Sequence, residues 1–204
     1  MSANISFYNT NATQLTKLYD SLEFENVHKS WCLYWPNTYS KVLDIGAGSG
    51  RDAQWFLQKG CSVVAVEPAK ELRRLGSLST PPQIHWLDDS LPTLLEVRKL
   101  SCEYDLILIS AVWMHLNAMQ REESIAVLSS LLSESGKLVI TLRHGSFDDD
   151  RDAFCVSIDE LKQLGQVVGL TVCHIVDDSD SLNRAEIFWQ TVVLEKINNH
   201  LARE

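Results

Sequence analysis

Apolar residues between positions 41 and 142 fall into five short runs that are separated by stretches with helical spacing. The runs are continuous and rich in valine, isoleucine and leucine, as expected for strands buried on both faces of a parallel sheet. They read KVLDI (41–45), SVVAVE (62–67), IHWL (84–87), YDLILIS (104–110) and KLVITL (137–142). Crossover helices are predicted between them over Asp52–Lys59, Ala69–Leu75, Leu91–Lys99 and Asn117–Leu132. This alternation predicts a single α/β domain built on a parallel sheet.

The two ends of the chain depart from this alternation. Residues 1–40 carry two helical stretches after an irregular start, the first capped by Thr10 or Asn11, and predict an N-terminal helical extension. Residues 170–176 and 186–195 read as strands joined by DDSDSLNR, with no helix between them. So short a link favours an antiparallel hairpin, which gives a mostly parallel sheet one reversed strand. We therefore expect a main domain over 41–197 and a C-terminal tail over 198–204.

Composition and charge narrow the range of partners. The chain has 204 residues, 45% of them hydrophobic and 22% charged, which suits one soluble globular domain. Its formal net charge is −9 and no run of Lys or Arg occurs, so a small molecule or a protein is favoured over nucleic acid as a partner. The five cysteines show no metal-binding or disulfide pattern, and no apolar run has membrane-spanning length. We expect a cytoplasmic protein with neither a metal nor a membrane partner, and its oligomeric state stays open.

A glycine-rich segment carries the clearest chemical signal. The run VLDIGAGSGRD (42–52) places Gly46, Gly48 and Gly50 between the first predicted strand and a helix. Glycines at such a turn let the backbone bend tightly and approach a ligand closely. A dinucleotide fingerprint, GxGxxG, would need a glycine at position 51, where this chain has Arg51. Asp44, just before the loop, would repel a phosphate and would suit an ammonium group instead.

The segment DIGAGSG, together with the acidic end of VVAVEP, resembles the class I S-adenosylmethionine-dependent methyltransferase family, and the resemblance extends over residues 41–195. It implies a Rossmann-like fold and S-adenosylmethionine as the cofactor. In this family the carboxylate that matches Glu67 binds both ribose hydroxyls, and an acid after the third strand, here Asp88 or else Asp89, accepts from the adenine amino group. Both aspartates are alternatively plain turn residues. The cofactor-binding residues implied in this way are Asp44, Gly46, Ala47, Gly48, Ser49, Gly50, Arg51, Glu67, Pro68, Asp88, Asp89, Ser110 and Ala111.

Candidate substrate and catalytic residues follow the fourth and fifth strands, where ligands bind in open α/β sheets. After strand four, Trp113 is a candidate substrate contact and His115 a candidate general base, and the alternatives are a core tryptophan and a histidine that begins the next helix. After strand five, Arg143 is a candidate anchor for a substrate carboxylate or phosphate, and His144 is a second candidate base. The alternative for Arg143 is an ion pair with an acidic cluster whose spacing does not match a calcium loop, formed by Asp148, Asp149, Asp150 and Asp152.

The N-terminal extension and the segment 143–156 are the parts expected to cover the site. Tyr8 and Tyr19 are candidate substrate contacts, because the family often closes its site with an N-terminal segment of this kind. The segment 143–156 is either a lid or a solvated connection. The expected activity is methyl transfer from S-adenosylmethionine to a small molecule. The alternatives are a protein or tRNA acceptor, a catalytically silent cofactor-binding subunit or sensor, and an NAD-dependent oxidoreductase, which Arg51 and the terminal hairpin oppose.

Overall fold

The computed structural model describes residues 3–149, 151–182 and 184–197, and the predicted tail 198–204 lies outside them. The strands are β1 (Lys41–Ile45), β2 (Ser62–Val66), β3 (His85–Leu87), β4 (Tyr104–Ile109), β5 (Leu132–His144), β6 (Leu170–Ser179) and β7 (Phe188–Lys196). The helices are α1 (Ala3–Thr10), α2 (Ala12–Asp20), α3 (Phe24–Val27), α4 (Arg51–Gln58), α5 (Lys70–Ser79), α6 (Leu95–Lys99), α7 (Ala118–Leu131) and α8 (Ile158–Val167), with 3₁₀ helices at Lys29–Tyr34 and Trp113–His115. Within the described ranges, every helix is too short or too polar to cross a bilayer.

The seven strands form one mixed sheet in the order β3-β2-β1-β4-β5-β7-β6. Strands β1 to β5 pair in parallel with their neighbours in that order. Strand β7 runs antiparallel to both β5 and β6, so it is the one reversed strand in the described sheet. The predicted α/β fold with a C-terminal hairpin is therefore confirmed. Because the strand order reverses between β1 and β4, their carboxyl ends border a crevice, which is the usual ligand position in such sheets.

Successive residues of the central strands enter two separate cores. Val42 of β1 packs with Trp31 on one face of the sheet, whereas Leu43 packs with Ile107 and Leu128 on the other. Burial on both faces is the reason why these strands have continuous apolar runs rather than an alternating pattern. Trp31 is fully buried although it precedes β1, so the N-terminal segment packs into the core of the sheet.

Helix α1 differs from the predicted irregular start. It has no apolar stripe, and its buried residue is Asn4. The Asn4 side-chain amide donates to the carbonyl of Asp152 at 3.1 Å, and its oxygen accepts from the Asp152 N–H at 2.8 Å. Ile5, Phe7 and Tyr8 of the helix are only partly buried against a small apolar cluster, so hydrophobic periodicity alone does not reveal this helix.

The segment between β5 and α8 packs over the carboxyl edge of the sheet. Arg121 of α7, which is buried, pairs with Glu160 at 2.7 Å and donates to the carbonyls of Cys155 and Phe154 at 2.7 and 3.3 Å. Asn4 and His115 also bind the backbone of this segment. The segment is therefore held in place by hydrogen bonds to three other parts of the chain.

Candidate functional site

A cavity of about 660 Å³ opens at the carboxyl edge of β1, β2, β4 and β5. We call one part of its wall the cofactor half, which consists of residues 46–49, 51, 67, 68, 110 and 111. A second part of the wall, which we call the acceptor half, contains Tyr8, His115, Arg143, Phe147, Arg151 and Arg184. Tyr19 of α2 also lines the cavity, so the N-terminal helices contribute to it as predicted.

The glycine loop can follow its path only without side chains at two positions. Gly46 has φ +74°, and a Cβ there would overlap the side chain of Val112. Gly50 has φ +85° immediately before α4, and a Cβ there would lie 2.7 Å from Thr80 Cγ2. The N–H groups of Gly46 and Ala47 both donate to the carbonyl of Val66, at 2.8 and 2.9 Å, which ties the loop to the end of β2. These contacts fix the path of the loop, and its residues 46–49 line the cavity.

Glu67, directly after β2, is a buried carboxylate at the edge of this loop. Only 5% of the residue is exposed. Its two oxygens accept hydrogen bonds from the N–H groups of Gly48 at 3.1 Å and Ala69 at 2.8 Å. Each carboxylate oxygen has a second lone pair, so both can still accept from a pair of neighbouring hydroxyls. Burial raises the pKa of Glu67 to about 7, against the opposing effect of these two hydrogen bonds.

Asp44 and Ser49 present buried oxygens without partners beside the glycine loop. Asp44 is 1% exposed and Ser49 is 3% exposed. Among the described residues, nothing hydrogen-bonds to Oδ2 of Asp44 or to Oγ of Ser49. Burial raises the pKa of Asp44 well above its usual range, and the nearby Asp52 raises it further, while Arg51 opposes the rise. A donor carrying positive charge is what this carboxyl group lacks.

Arg51 is oriented by a network that reaches the N-terminal extension. Its Nε donates to Asp52 at 2.7 Å, and the other Asp52 oxygen lies 2.9 Å from Nε2 of His28. Trp31 donates its indole N–H to Nδ1 of His28, so Nε2 carries the proton and donates to Asp52. Burial would raise the pKa of Asp52, but Arg51 and His28 together lower it below its usual range. Arg51 therefore presents a fixed positive charge to the cavity.

Asp88 and Asp89 do not line the cavity, in contrast to the prediction. Asp88 forms a two-pronged ion pair with Arg73, at 3.0 and 2.7 Å, and its side chain is 69% exposed. Asp89 accepts from the N–H groups of Glu96 and Val97, so it caps α6. This cap is the reason why α6 begins at Leu95 and not at Leu91. The alternative interpretation of both aspartates, as residues of a structured turn, matches their geometry.

Tyr8 and His115 form a hydrogen-bonded pair in the acceptor half. The Tyr8 hydroxyl lies 2.9 Å from Nε2 of His115, and Nδ1 of His115 lies 2.8 Å from the carbonyl oxygen of Asp152. A carbonyl only accepts, so Nδ1 carries the proton and Nε2 accepts from the Tyr8 hydroxyl. Burial lowers the pKa of His115, and the hydrogen bond to Asp152 opposes this effect. The net lowering of the pKa favours the neutral imidazole at pH 7. Arg151 donates to the Tyr8 oxygen at 3.4 Å.

Arg143 and Arg151 stack on Phe147, which was not among the predicted site residues. The central carbons of the two guanidinium groups lie 3.8 and 3.9 Å from the centre of the Phe147 ring. The ring of Phe147 also stacks on His115, with 5.5 Å between ring centres. Arg143 therefore lies close to the Tyr8–His115 pair. The prediction missed Arg151 and Phe147 because they belong to an irregular segment whose path no periodicity reveals.

Two predicted residues lie away from the cavity. Trp113 is 0% exposed, belongs to the apolar core and is not among the residues that line the cavity, which favours its core alternative over a substrate contact. His144 stacks on Phe188 with 4.3 Å between ring centres, and its Nε2 lies 2.9 Å from the side-chain oxygen of Gln190. No described contact brings His144 to the cavity, so its predicted role as a base has no support in its position.

The predicted acidic cluster is not arranged as a metal site in the described part of the chain. Asp149 binds both the Nε and a terminal nitrogen of Arg151, at 2.8 and 2.7 Å. Asp150 lies outside the described residues. The described chain contains no group of three or more His, Cys, Asp and Glu side chains placed to hold a metal ion.

A family model described as a methyltransferase domain matches residues 13–175. The chain belongs to this family. The match, together with the sheet order and the glycine loop, confirms a class I, S-adenosylmethionine-dependent methyltransferase domain with a Rossmann-like fold.

Relatives and solved structures agree with this assignment. An uncharacterized methyltransferase of Alkaliphilus oremlandii is 31% identical over 99 residues, which are 48% of this chain and 44% of that protein. The chain spans about half the length of the curated relatives it matches. A TehB-like SAM-dependent methyltransferase from Corynebacterium glutamicum has a TM-score of 0.63 at 20% identity, over 95% of this chain and 98% of that one. A SAM-dependent methyltransferase from Methanosarcina mazei has a TM-score of 0.67 at 15% identity, over 86% and 99%.

The cofactor half of the methyltransferase domain fits S-adenosylmethionine chemically. We expect the two Glu67 oxygens to accept from the ribose hydroxyls. Arg51 lines the cavity and is placed to attract the methionine carboxylate. Asp44 is not among the residues that line the cavity, so its contact with the methionine ammonium group stays a prediction. The fit to the cofactor rests on the side-chain-free path of the glycine loop and on the unpartnered Ser49 hydroxyl, which lines the cavity.

The raised pKa of Glu67 predicts that cofactor binding depends on pH. The ribose hydroxyls prefer the ionised carboxylate, which below pH 7 becomes a minor form of the free protein. We expect the Kd for S-adenosylhomocysteine to rise about tenfold between pH 8 and pH 6, and to be nearly constant above pH 8. Calorimetry at fixed ionic strength measures this. Glu67→Gln should bind more weakly and remove the dependence, whereas Glu96→Gln, on α6, should retain it; an unchanged profile in Glu67→Gln would contradict the assignment.

Proposed function

We propose that this domain transfers a methyl group from S-adenosylmethionine to a small molecule whose accepting oxygen or nitrogen carries a proton. The observation that supports this most directly is the Tyr8–His115 pair, which faces the same cavity as the glycine loop. A half-buried neutral histidine whose proton position is fixed by a backbone carbonyl is suited to accept a proton. An acceptor that is already ionised would need no such pair.

S-adenosylmethionine, when bound, supplies a methyl group on a sulfonium sulfur and leaves as S-adenosylhomocysteine. The protein's part is to hold the acceptor in line and to remove its proton. Because Nε2 of His115 is occupied by the Tyr8 hydroxyl, Tyr8 is the group that meets the acceptor. As the acceptor oxygen or nitrogen forms its bond to the methyl carbon, its proton passes to the Tyr8 oxygen and the Tyr8 proton passes to Nε2. His115 becomes an imidazolium, and Arg151 stabilises negative charge on the Tyr8 oxygen during transfer.

The walls of the acceptor half favour a small molecule over a protein or tRNA. Helix α1 and the residues 151–154 are joined by the Asn4–Asp152 hydrogen bonds, and both contribute side chains to the cavity wall. A cavity of about 660 Å³ bounded in this way suits a small ligand beside the cofactor. The net charge of −9 also opposes a nucleic acid partner.

A metabolite panel tests this proposal. Purified protein with S-adenosylmethionine is incubated with pools of hydroxy acids, amino acids, amines and phenols, and release of S-adenosylhomocysteine is measured. The proposal predicts release with at least one small molecule, and its loss in Tyr8→Phe. Release only with a protein or tRNA fraction would contradict the small-molecule assignment, and cofactor binding without turnover on any of these would favour a silent subunit or sensor.

A further inference from the structure

Arg143 is a buried cation whose charge has no carboxylate partner in the described part of the chain. The residue is only 6% exposed and lines the acceptor half. Its two terminal nitrogens donate to the carbonyls of Gly145 at 2.6 Å and Ser146 at 2.9 Å, and its Nε has no partner among the described residues. A guanidinium has five N–H donors, so three remain unused. Burying a positive charge that has no carboxylate partner and unused N–H donors costs free energy, unless a bound ligand compensates the charge.

The surroundings of Arg143 compensate its charge only in part, through the Phe147 ring and two backbone carbonyls. Burial lowers its pKa, the positive charges of Arg184 and Arg151 lower it further, and Asp180 opposes this effect. Three carboxylates of this region have other partners. Asp180 binds Arg184 at 2.6 Å, and Asp149 binds Arg151 at 2.7 Å. Asp178, which also lines the cavity, accepts from the hydroxyl of Thr191 at 2.9 Å.

We propose that the methyl acceptor carries a carboxylate, which the Arg143 guanidinium binds at the wall of the acceptor half. A guanidinium presents parallel N–H groups that match the two oxygens of a carboxylate. A singly charged group suits this wall better than a phosphate dianion, because Asp178 and Asp180 line the same cavity. This inference depends on the proposed function, since it concerns the acceptor of the same reaction.

The position of Arg143 relative to the Tyr8–His115 pair supports this assignment. Phe147 bridges the two: its ring centre is 3.8 Å from the Arg143 guanidinium carbon and 5.5 Å from the centre of the His115 ring. A carboxylate on Arg143 therefore leaves the rest of a small molecule beside the Tyr8 hydroxyl. The apolar surface of Trp189, which lines the cavity, suits the carbon skeleton of such a molecule.

The experiment compares carboxylates with their uncharged amides on protein saturated with S-adenosylhomocysteine. Acetate, benzoate and salicylate are titrated against acetamide, benzamide and salicylamide at constant ionic strength, followed by NMR chemical shifts, with inorganic phosphate as a further probe. We expect at least one carboxylate to bind saturably and at least tenfold more tightly than its amide and than phosphate. Arg143→Gln should lose that preference and Arg143→Lys should lose part of it, whereas Arg74→Gln, on α5 and outside the cavity lining, should keep it.

The outcomes separate this inference from the proposed function. Equal binding of carboxylates and amides by cofactor-saturated wild-type protein would overturn the carboxylate assignment, as would a preference for phosphate or an undiminished preference in folded Arg143→Gln. The wild-type comparison decides the question even if Arg143→Gln does not fold. The wild-type protein is titrated with S-adenosylhomocysteine before any carboxylate is added. If S-adenosylhomocysteine fails to bind in that titration, the result counts against the methyltransferase function itself.

Discussion

Tyr8→Phe and His115→Ala should each lower turnover about 10²- to 10⁴-fold while leaving the affinity for S-adenosylhomocysteine nearly unchanged, the usual scale for loss of a proton-transfer group. The reason is that the acceptor proton must pass through the Tyr8 hydroxyl to reach Nε2 of His115, 2.9 Å away. Because the two residues act as one unit, the double variant should be no slower than the slower single variant. The measurement is single-turnover methyl transfer to the acceptor identified by the metabolite panel.

The pH dependence of the methyl-transfer rate and a control variant test the same prediction further. The pKa of His115 is lowered by burial, so the wild-type rate should fall at a lower pH than an ordinary histidine would give, as the imidazole becomes protonated and stops accepting a proton. The control is Tyr39→Phe, which removes a hydroxyl from an exposed tyrosine and should leave the rate unchanged. Wild-type turnover in folded Tyr8→Phe with intact cofactor binding would exclude the relay. Parallel loss of stability and cofactor affinity would indicate a structural pair instead.

Trp113→Ala should lower the free energy of unfolding by about 3–5 kcal/mol, the range for removing a large aromatic side chain from a core. Trp113 is 0% exposed and packs in the apolar cluster between the sheet and α7. Urea denaturation of the variant and the wild type measures the difference. The matched control is Met119→Ala, since Met119 is 80% exposed and its truncation should change stability by less than about 0.5 kcal/mol.

The opposite outcome would restore the substrate role that the sequence suggested for Trp113. In that case Trp113→Ala would keep nearly full stability and would lose affinity for the acceptor instead. Both measurements use the same protein preparation, so the two roles can be separated directly.

The strands and the C-terminal hairpin were predictable because their chemistry is local. Strands β1 and β4 are buried on both faces, which produces continuous apolar runs, and the short link before β7 leaves no room for a crossover. Helix α1 was not predictable in this way. Asn4 holds it through hydrogen bonds to Asp152, a residue 148 positions away in the sequence.

The cofactor half was predictable for a similar reason, whereas the acceptor half was predictable only in part. The glycine loop and Glu67 follow parallel strands directly, and the carboxyl ends of such strands meet at one edge. Arg143 and His144 are neighbours on one strand, so their side chains point to opposite faces and only one can reach the cavity. Arg151 and Phe147 come from the segment after β5, whose path depends on Arg121, Asn4 and His115 together.

The most direct test of the account is calorimetric titration of the wild-type protein with S-adenosylmethionine and S-adenosylhomocysteine at pH 8. We predict saturable binding of both at one site per chain, with Glu67→Ala weakening it by about 10- to 150-fold, the scale of losing hydrogen bonds to a charged group. A folded protein that shows neither heat of binding nor a thermal shift with either compound would contradict it.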